Sequence, residues 1–116
     1  MEWKNDVAIF LQVIEQFKFD VILKKYLPGK KILSVREYAQ KLNVNPNTIV
    51  KVYDILNNEG LIVAKSTNGF YLTDNEEIIN NLKPAFAEKY KKDFLEKMSN
   101  LGYTLEETIN YLRGDE

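Results

Sequence analysis

A mainly α-helical fold carrying one small β-hairpin follows from three observations in the 116-residue sequence. Apolar side chains recur at α-helical spacing through the first half of the chain. The period changes after Leu61 into two short apolar runs separated by Ser66-Thr67-Asn68-Gly69. Helical spacing then resumes from Asp74. The length favours one compact domain with an appended element, because domains cluster near ~100–150 residues. With 45% hydrophobic and 12% aromatic residues the chain has material for a core.

Phe10, Val13, Ile14, Phe17 and Val21 share one helical face, with Gln12, Glu15, Gln16 and Lys18 between them. This predicts a first helix from about Asp6 to Lys25, ending before the turn signal Leu27-Pro28-Gly29. Lys31-Ile32-Leu33 is a short extended piece. Ser34 followed by Glu37 makes a Ser-x-x-Glu capping box, so a second helix starts there and runs to about Leu42. Asn45 caps a third helix, with Pro46 at its first position, where a missing N–H removes no bond. Ile49, Val52, Tyr53 and Leu56 turn inward, and Asn47, Thr48, Val50, Lys51 and Asp54 lie on the opposite face. Gly60 ends the helix.

Leu61–Lys65 and Phe70–Thr73 read as two strands, and Asn68-Gly69 between them predicts a type I′ hairpin turn. Asp74 with Glu77 predicts another capping box and a helical run to about Asn100. Pro84 predicts a kink or break in that run near Lys83. Thr104 with Glu107 caps a last helix carrying Leu105, Ile109 and Leu112.

Composition removes whole classes of chemistry. The chain has no Cys and no His, which excludes disulfides, thiolate nucleophiles, imidazole ligands and Ser-His or Cys-His pairs. An enzyme is not expected, nor a metal or any other cofactor. The longest apolar runs, such as Val7–Leu11, are too short to span a membrane. The chain opens without a secretory signal pattern, so a cytoplasmic location is expected. The formal net charge is −1, but residues 1–75 carry 10 basic and 8 acidic side chains, against 6 and 9 in residues 76–116. The mildly basic head permits a nucleic-acid face.

Helix, helix, tight turn, helix and hairpin is the order of a winged helix-turn-helix, in which the third helix enters the major groove and the hairpin is the wing. The residues that carry this order also resemble the GntR family of bacterial transcription regulators. The matching stretches are Leu27–Ala39, Val44–Ile49 and Glu59–Ile62, within a resemblance covering about residues 7–73. The short helical tail is similar to that of the YtrA-type branch. The resemblance implies a dimeric, sequence-specific repressor of duplex operator DNA, commonly of a transporter operon. Residues 1–73 would form the DNA-binding domain and 74–116 a helical dimerisation tail. It identifies no small-molecule effector.

Carried onto this sequence, the DNA-binding set is Ser34, Arg36, Asn45, Asn47, Thr48, Lys51, Lys65, Asn68 and Gly69. Arg36 matches the family arginine at the start of the second helix. Asn45, Asn47 and Thr48 match the polar start of the recognition helix, and Gly69 matches the wing-tip glycine. Leu33 stands where proline is usual, Val50 where arginine is frequent, and the wing holds less charge than usual. In the tail, Leu82, Phe86, Tyr90, Phe94 and Met98 recur every four residues and form the expected dimer seam. The alternative is a winged-helix interaction module that leaves DNA untouched. Such a module would expose apolar residues on the third helix, where only Val50 does.

Overall fold

A computed structural model describes Glu2–Asp115, and at Thr67 the backbone alone. The order is α1 (Ile9–Ile22), α2 (Val35–Leu42), α3 (Pro46–Asn58), β1 (Ile62–Ala64), β2 (Phe70–Leu72), α4 (Glu76–Asn80), α5 (Leu82–Asn100) and α6 (Leu105–Arg113). The fold is mainly helical with one antiparallel hairpin, as the hydrophobic periods predict. The chain divides into two compact units, Met1–Leu82 and Lys83–Glu116.

In the first unit α1 is shorter than its apolar pattern. Gln12 holds the preceding chain in a loop: its Oε1 accepts from the Lys4 N–H, and its Nε2 donates to the Lys4 and Val7 carbonyls. At the other end Lys24 adopts φ 62°, and the Lys24 and Lys25 N–H groups donate back to Val21 and Asp20. This left-handed closure satisfies the last carbonyls and stops the helix before Lys25. The predicted caps of α2 and α3 form. Ser34 Oγ accepts from the Glu37 N–H while Glu37 Oε1 accepts from the Ser34 N–H, and Asn45 Oδ1 accepts from the Asn47 N–H.

Val13, Phe17 and Val21 of α1 meet Tyr38 and Ala39 of α2, Ile49, Val52, Tyr53 and Leu56 of α3, and Ile32, Leu61, Ile62 and Leu72 in one core. Rings run through it in sequence. Tyr26 stacks on Phe17 at 4.9 Å, Tyr38 on Tyr53 at 6.0 Å, and Tyr53 meets Phe70 edge-on at 5.1 Å. Trp3 packs against this core from outside. The Tyr53 hydroxyl donates to the Leu33 carbonyl at 2.7 Å, tying α3 to the segment before α2.

β1 and β2 pair with Ile62 opposite Leu72 and Ala64 opposite Phe70. The extended piece at Lys31 joins as a third line: Lys31 bridges Tyr71, the Ile32 N–H donates to Phe70, and the Leu72 N–H donates to Lys30. After β2 the helical run is capped by Asn75, whose Oδ1 accepts from Glu77 and Ile78 N–H groups, and not by Asp74. The Thr73 hydroxyl accepts from the Asn75 N–H and helps set this turn one residue later than the Asp74/Glu77 pattern implies. The break before Pro84 lies at Asn81, so α4 stands alone and Pro84 sits in the first turn of α5, where no intrahelical N–H bond is lost. Ile78, Ile79 and Leu82 pack on the first unit's core.

The second unit contains most of α5 and all of α6. Thr104 and Glu107 form the predicted reciprocal cap, and the buried Thr108 hydroxyl donates to the Thr104 carbonyl. Among the described residues no helix is long and apolar enough to cross a membrane.

Candidate nucleic-acid interface

Helix α3 presents two unlike faces. Its inward residues are essentially fully buried, whereas Asn47, Val50, Lys51, Asp54 and Asn57 are exposed. Thr48 is half-buried, with its N–H donating to the Asn45 carbonyl at 2.9 Å. The buried face fixes the helix's rotation, and the ion pair between Lys18 and Glu59 at 2.9 Å braces its C-terminal end against α1. Asn45 spends its carbonyl oxygen on the cap, which leaves its amide N–H groups available as donors.

The start of α2 is equally ordered. Ser34 is occupied by its cap, and the hydrogen bonds from its backbone and hydroxyl hold the Glu37 carboxyl below the usual carboxylate value of 4.5. Arg36, the second residue of this helix, is exposed, and no carboxylate among the described residues pairs with it. Its charge faces solvent from a backbone that the capping box has already fixed.

The hairpin turn departs from the Asn-Gly expectation. Residues Ser66–Asn68 make one 3₁₀ turn, with the Asn68 N–H donating to the Lys65 carbonyl and the Lys65 N–H to the Gly69 carbonyl. Positive φ falls at Ser66 (52°) and Gly69 (99°), not at Asn68. The reason is register. With Ala64 opposite Phe70 as the last pair, Lys65–Gly69 must be spanned, too long for a two-residue turn. Gly69, at φ 99° and ψ −156°, lies in a region essentially confined to glycine. A β-carbon there would also come within 3.1 Å of Lys31 Cε.

Two lysines are positioned by rings. Lys51 Nζ lies 3.7 Å from the centre of the Phe10 ring, and Lys65 Nζ lies 4.7 Å from that of Tyr71. Such contacts hold a cation in place without neutralising it. Sequence reading missed Phe10 as the seat of Lys51 and missed Lys31 altogether. Bridge partners share a sheet face, so Lys31 lies beside Tyr71, with its aliphatic stem against Gly69. The signal was the pair Lys30-Lys31 next to an extended piece, but only strand pairing carries it to the wing.

Between α3 and the hairpin runs a groove of about 570 Å³, lined by Asn47, Val50, Lys51, Tyr53, Asp54 and Asn57, with Val35, Ala64 and Phe70. Thus Asn47 and Lys51 converge on one concavity, while Lys65, Asn68 and Gly69 stand at the wing tip and Ser34 and Arg36 at the start of α2. Burial raises the pKa of Tyr53 and of Tyr38 well above the normal phenolic value, with smaller contributions from neighbouring tyrosines and acids. Both hydroxyls stay protonated at neutral pH.

In the tail the predicted stripe is distributed unevenly. Leu82 packs on the first unit's core, Phe86 is half-buried and stacks on Tyr90 at 6.0 Å, and Met98 is buried. Tyr90 and Phe94 are exposed, as are Leu101, Leu105, Ile109, Tyr111 and Leu112, which sequence reading did not assign to the seam.

The model of the bacterial regulatory proteins of the gntR family matches residues 10–72, the span of α1 through β2. The helix-turn-helix-type transcriptional regulator YhcF of Bacillus subtilis is 30% identical over 112 residues, covering 97% of this chain and 93% of that protein. The transcriptional repressor YtrA of the same species is 38% identical over 73 residues, 62% of this chain and 55% of YtrA. Among solved structures, a GntR family transcriptional regulator from Listeria monocytogenes superposes with a TM-score of 0.89 at 32% identity, covering 98% of this chain and all of that one. The DNA-binding domain of AraR in complex with operator ORR3 is 25% identical with a TM-score of 0.56, over 63% of this chain and 88% of that one. YhcF, YtrA and the Listeria protein are each described as a regulator or repressor of transcription. The winged helix, the matched span and the near full-length kinship with YhcF together make the chain a member of the GntR family of bacterial transcriptional regulators.

Proposed function

We propose that the protein is a cytoplasmic, homodimeric repressor that binds duplex operator DNA through its first unit and pairs through its tail. The observation that carries this reading is the outward face of α3, polar except for Val50, flanked by unpaired Arg36 and by the ring-seated Lys51 and Lys65. Base edges would meet Asn47, Thr48 and the Asn45 amide. Phosphates would meet Lys51, Lys65 and the wing tip at Asn68 and Gly69, Arg36 would reach a phosphate or a base edge, and Ser34 would set Arg36 in place and offer its hydroxyl hydrogen. Repression is supported by the likeness to YtrA, a transcriptional repressor, and operator binding by the AraR complex.

Dimerisation is supported by the surface of the second unit, which leaves seven large apolar side chains exposed, from Tyr90 to Leu112. A second copy would cover them and set two recognition helices on half-sites about 10 base pairs apart or a multiple of that. A transporter operon is the regulated target this reading favours, with the DNA upstream of the protein's own operon tested first. The experiment is capture of genomic fragments on the full chain, followed by titration of the recovered duplex at several salt concentrations. A log–log slope of about −0.9 per neutralised phosphate is expected. Failure to retain any fragment above a scrambled duplex overturns the reading.

A further inference from the structure

Asn47, Val50, Asp54 and Asn57 are all exposed and share one face of α3, opposite the buried Ile49, Val52, Tyr53 and Leu56. Two amides and a carboxylate flank one aliphatic side chain, and Val50 is 53% exposed. Helix stability does not favour a valine at such a position, since its branched β-carbon loses freedom against the preceding turn. Nor does Val50 join the core. It opens instead onto the groove of about 570 Å³, where Val35, Ala64 and Phe70 add further apolar lining.

A partner helix would require a contiguous apolar stripe, but the neighbours of Val50 on α3 are amides and charges. In the major groove the base edges display donors, acceptors and a single apolar group, the C5 methyl of thymine. We propose that Val50 is a specificity-determining residue that contacts the C5 methyl of one thymine in each operator half-site. The inference rests on the operator-binding reading above and adds to it the base class that α3 selects at this position.

The test uses the full chain and a short duplex carrying the tightest site recovered from a randomised pool. Each thymine is replaced singly by deoxyuridine, which deletes the methyl and leaves every hydrogen-bonding group. At one position per half-site the replacement is expected to weaken wild-type binding about fourfold, the size of one lost methyl contact. Val50→Ala is expected to bind the thymine and deoxyuridine duplexes equally, and Val50→Thr, which keeps one methyl, to retain part of the discrimination. Wild-type protein that binds every deoxyuridine duplex as tightly as the parent overturns the inference. So does a Val50→Ala protein that discriminates as strongly as wild type. A pool that yields no retained duplex overturns the operator-binding reading, and this inference with it.

Discussion

The two units bury their apolar residues to very different extents. Among the described residues, the first gathers thirteen buried hydrophobic ones into one core from three helices, the hairpin and the segments leading into α2 and β1. The second buries Met98 and the polar Thr108, while leaving Tyr90, Phe94, Leu101, Leu105, Ile109, Tyr111 and Leu112 exposed. The head turns its apolar faces into a core of its own, whereas the two tail helices leave most of theirs open to solvent.

The largest effect is expected in the head's core. Phe17 is fully buried and stacked on Tyr26, so Phe17→Ala should cost about 3–5 kcal/mol of unfolding free energy, measured by denaturant titration. A loss below ~1 kcal/mol would mean that the core collapses around the gap. Phe94→Glu addresses the tail, where a charge on an exposed aromatic leaves the head folded. Light scattering should then give a monomer, and operator affinity should fall by about 10²-fold or more, the scale of lost bivalency. A dimer that survives this change would place the pairing surface elsewhere.

Arg36→Ala comes next, because its side chain is exposed and stands outside the head's core. It should leave the melting temperature unchanged and weaken operator binding by about 1–3 kcal/mol if the guanidinium reads a base edge, as binding isotherms would report. The smallest effect belongs to the two capping boxes, one in each unit. Hydrogen bonds to Ser34 and Thr104 depress the folded-state pKa values of Glu37 and Glu107 below the ordinary 4.5. A depressed carboxyl supports folding above its unfolded value and loses that support as pH falls through the lower folded value. Helicity followed by circular dichroism should therefore decline on acidification below pH 4.5, and less steeply in the Glu37→Gln, Glu107→Gln double variant.

Legibility followed sequence distance. Ser34, Asn45 and Thr104 cap the helices that follow them because a cap is settled within three residues, and the period of Ile49, Val52, Tyr53 and Leu56 states which side of α3 turns inward. The hairpin was legible but its turn was not, since strand register and not the Asn-Gly pair decided where positive φ falls. Asn75 displaced Asp74 as a cap through the nearby Thr73 hydroxyl. Lys31 beside Gly69 and Lys51 over Phe10 depend on segments distant in sequence, and no local pattern announces them. In the tail, every-fourth-residue spacing located the apolar stripe but not that the head's core would claim Leu82.

Trp3, the sole tryptophan of the chain, rests against the first unit's core. Its indole emission is therefore an optical reporter native to that unit, with no counterpart in Lys83–Glu116. A red shift in that emission marks solvent reaching the head, while far-ultraviolet ellipticity sums over all the helices. Non-coincident traces from the two signals would date the melting of α6 separately from that of α1, without any label being attached.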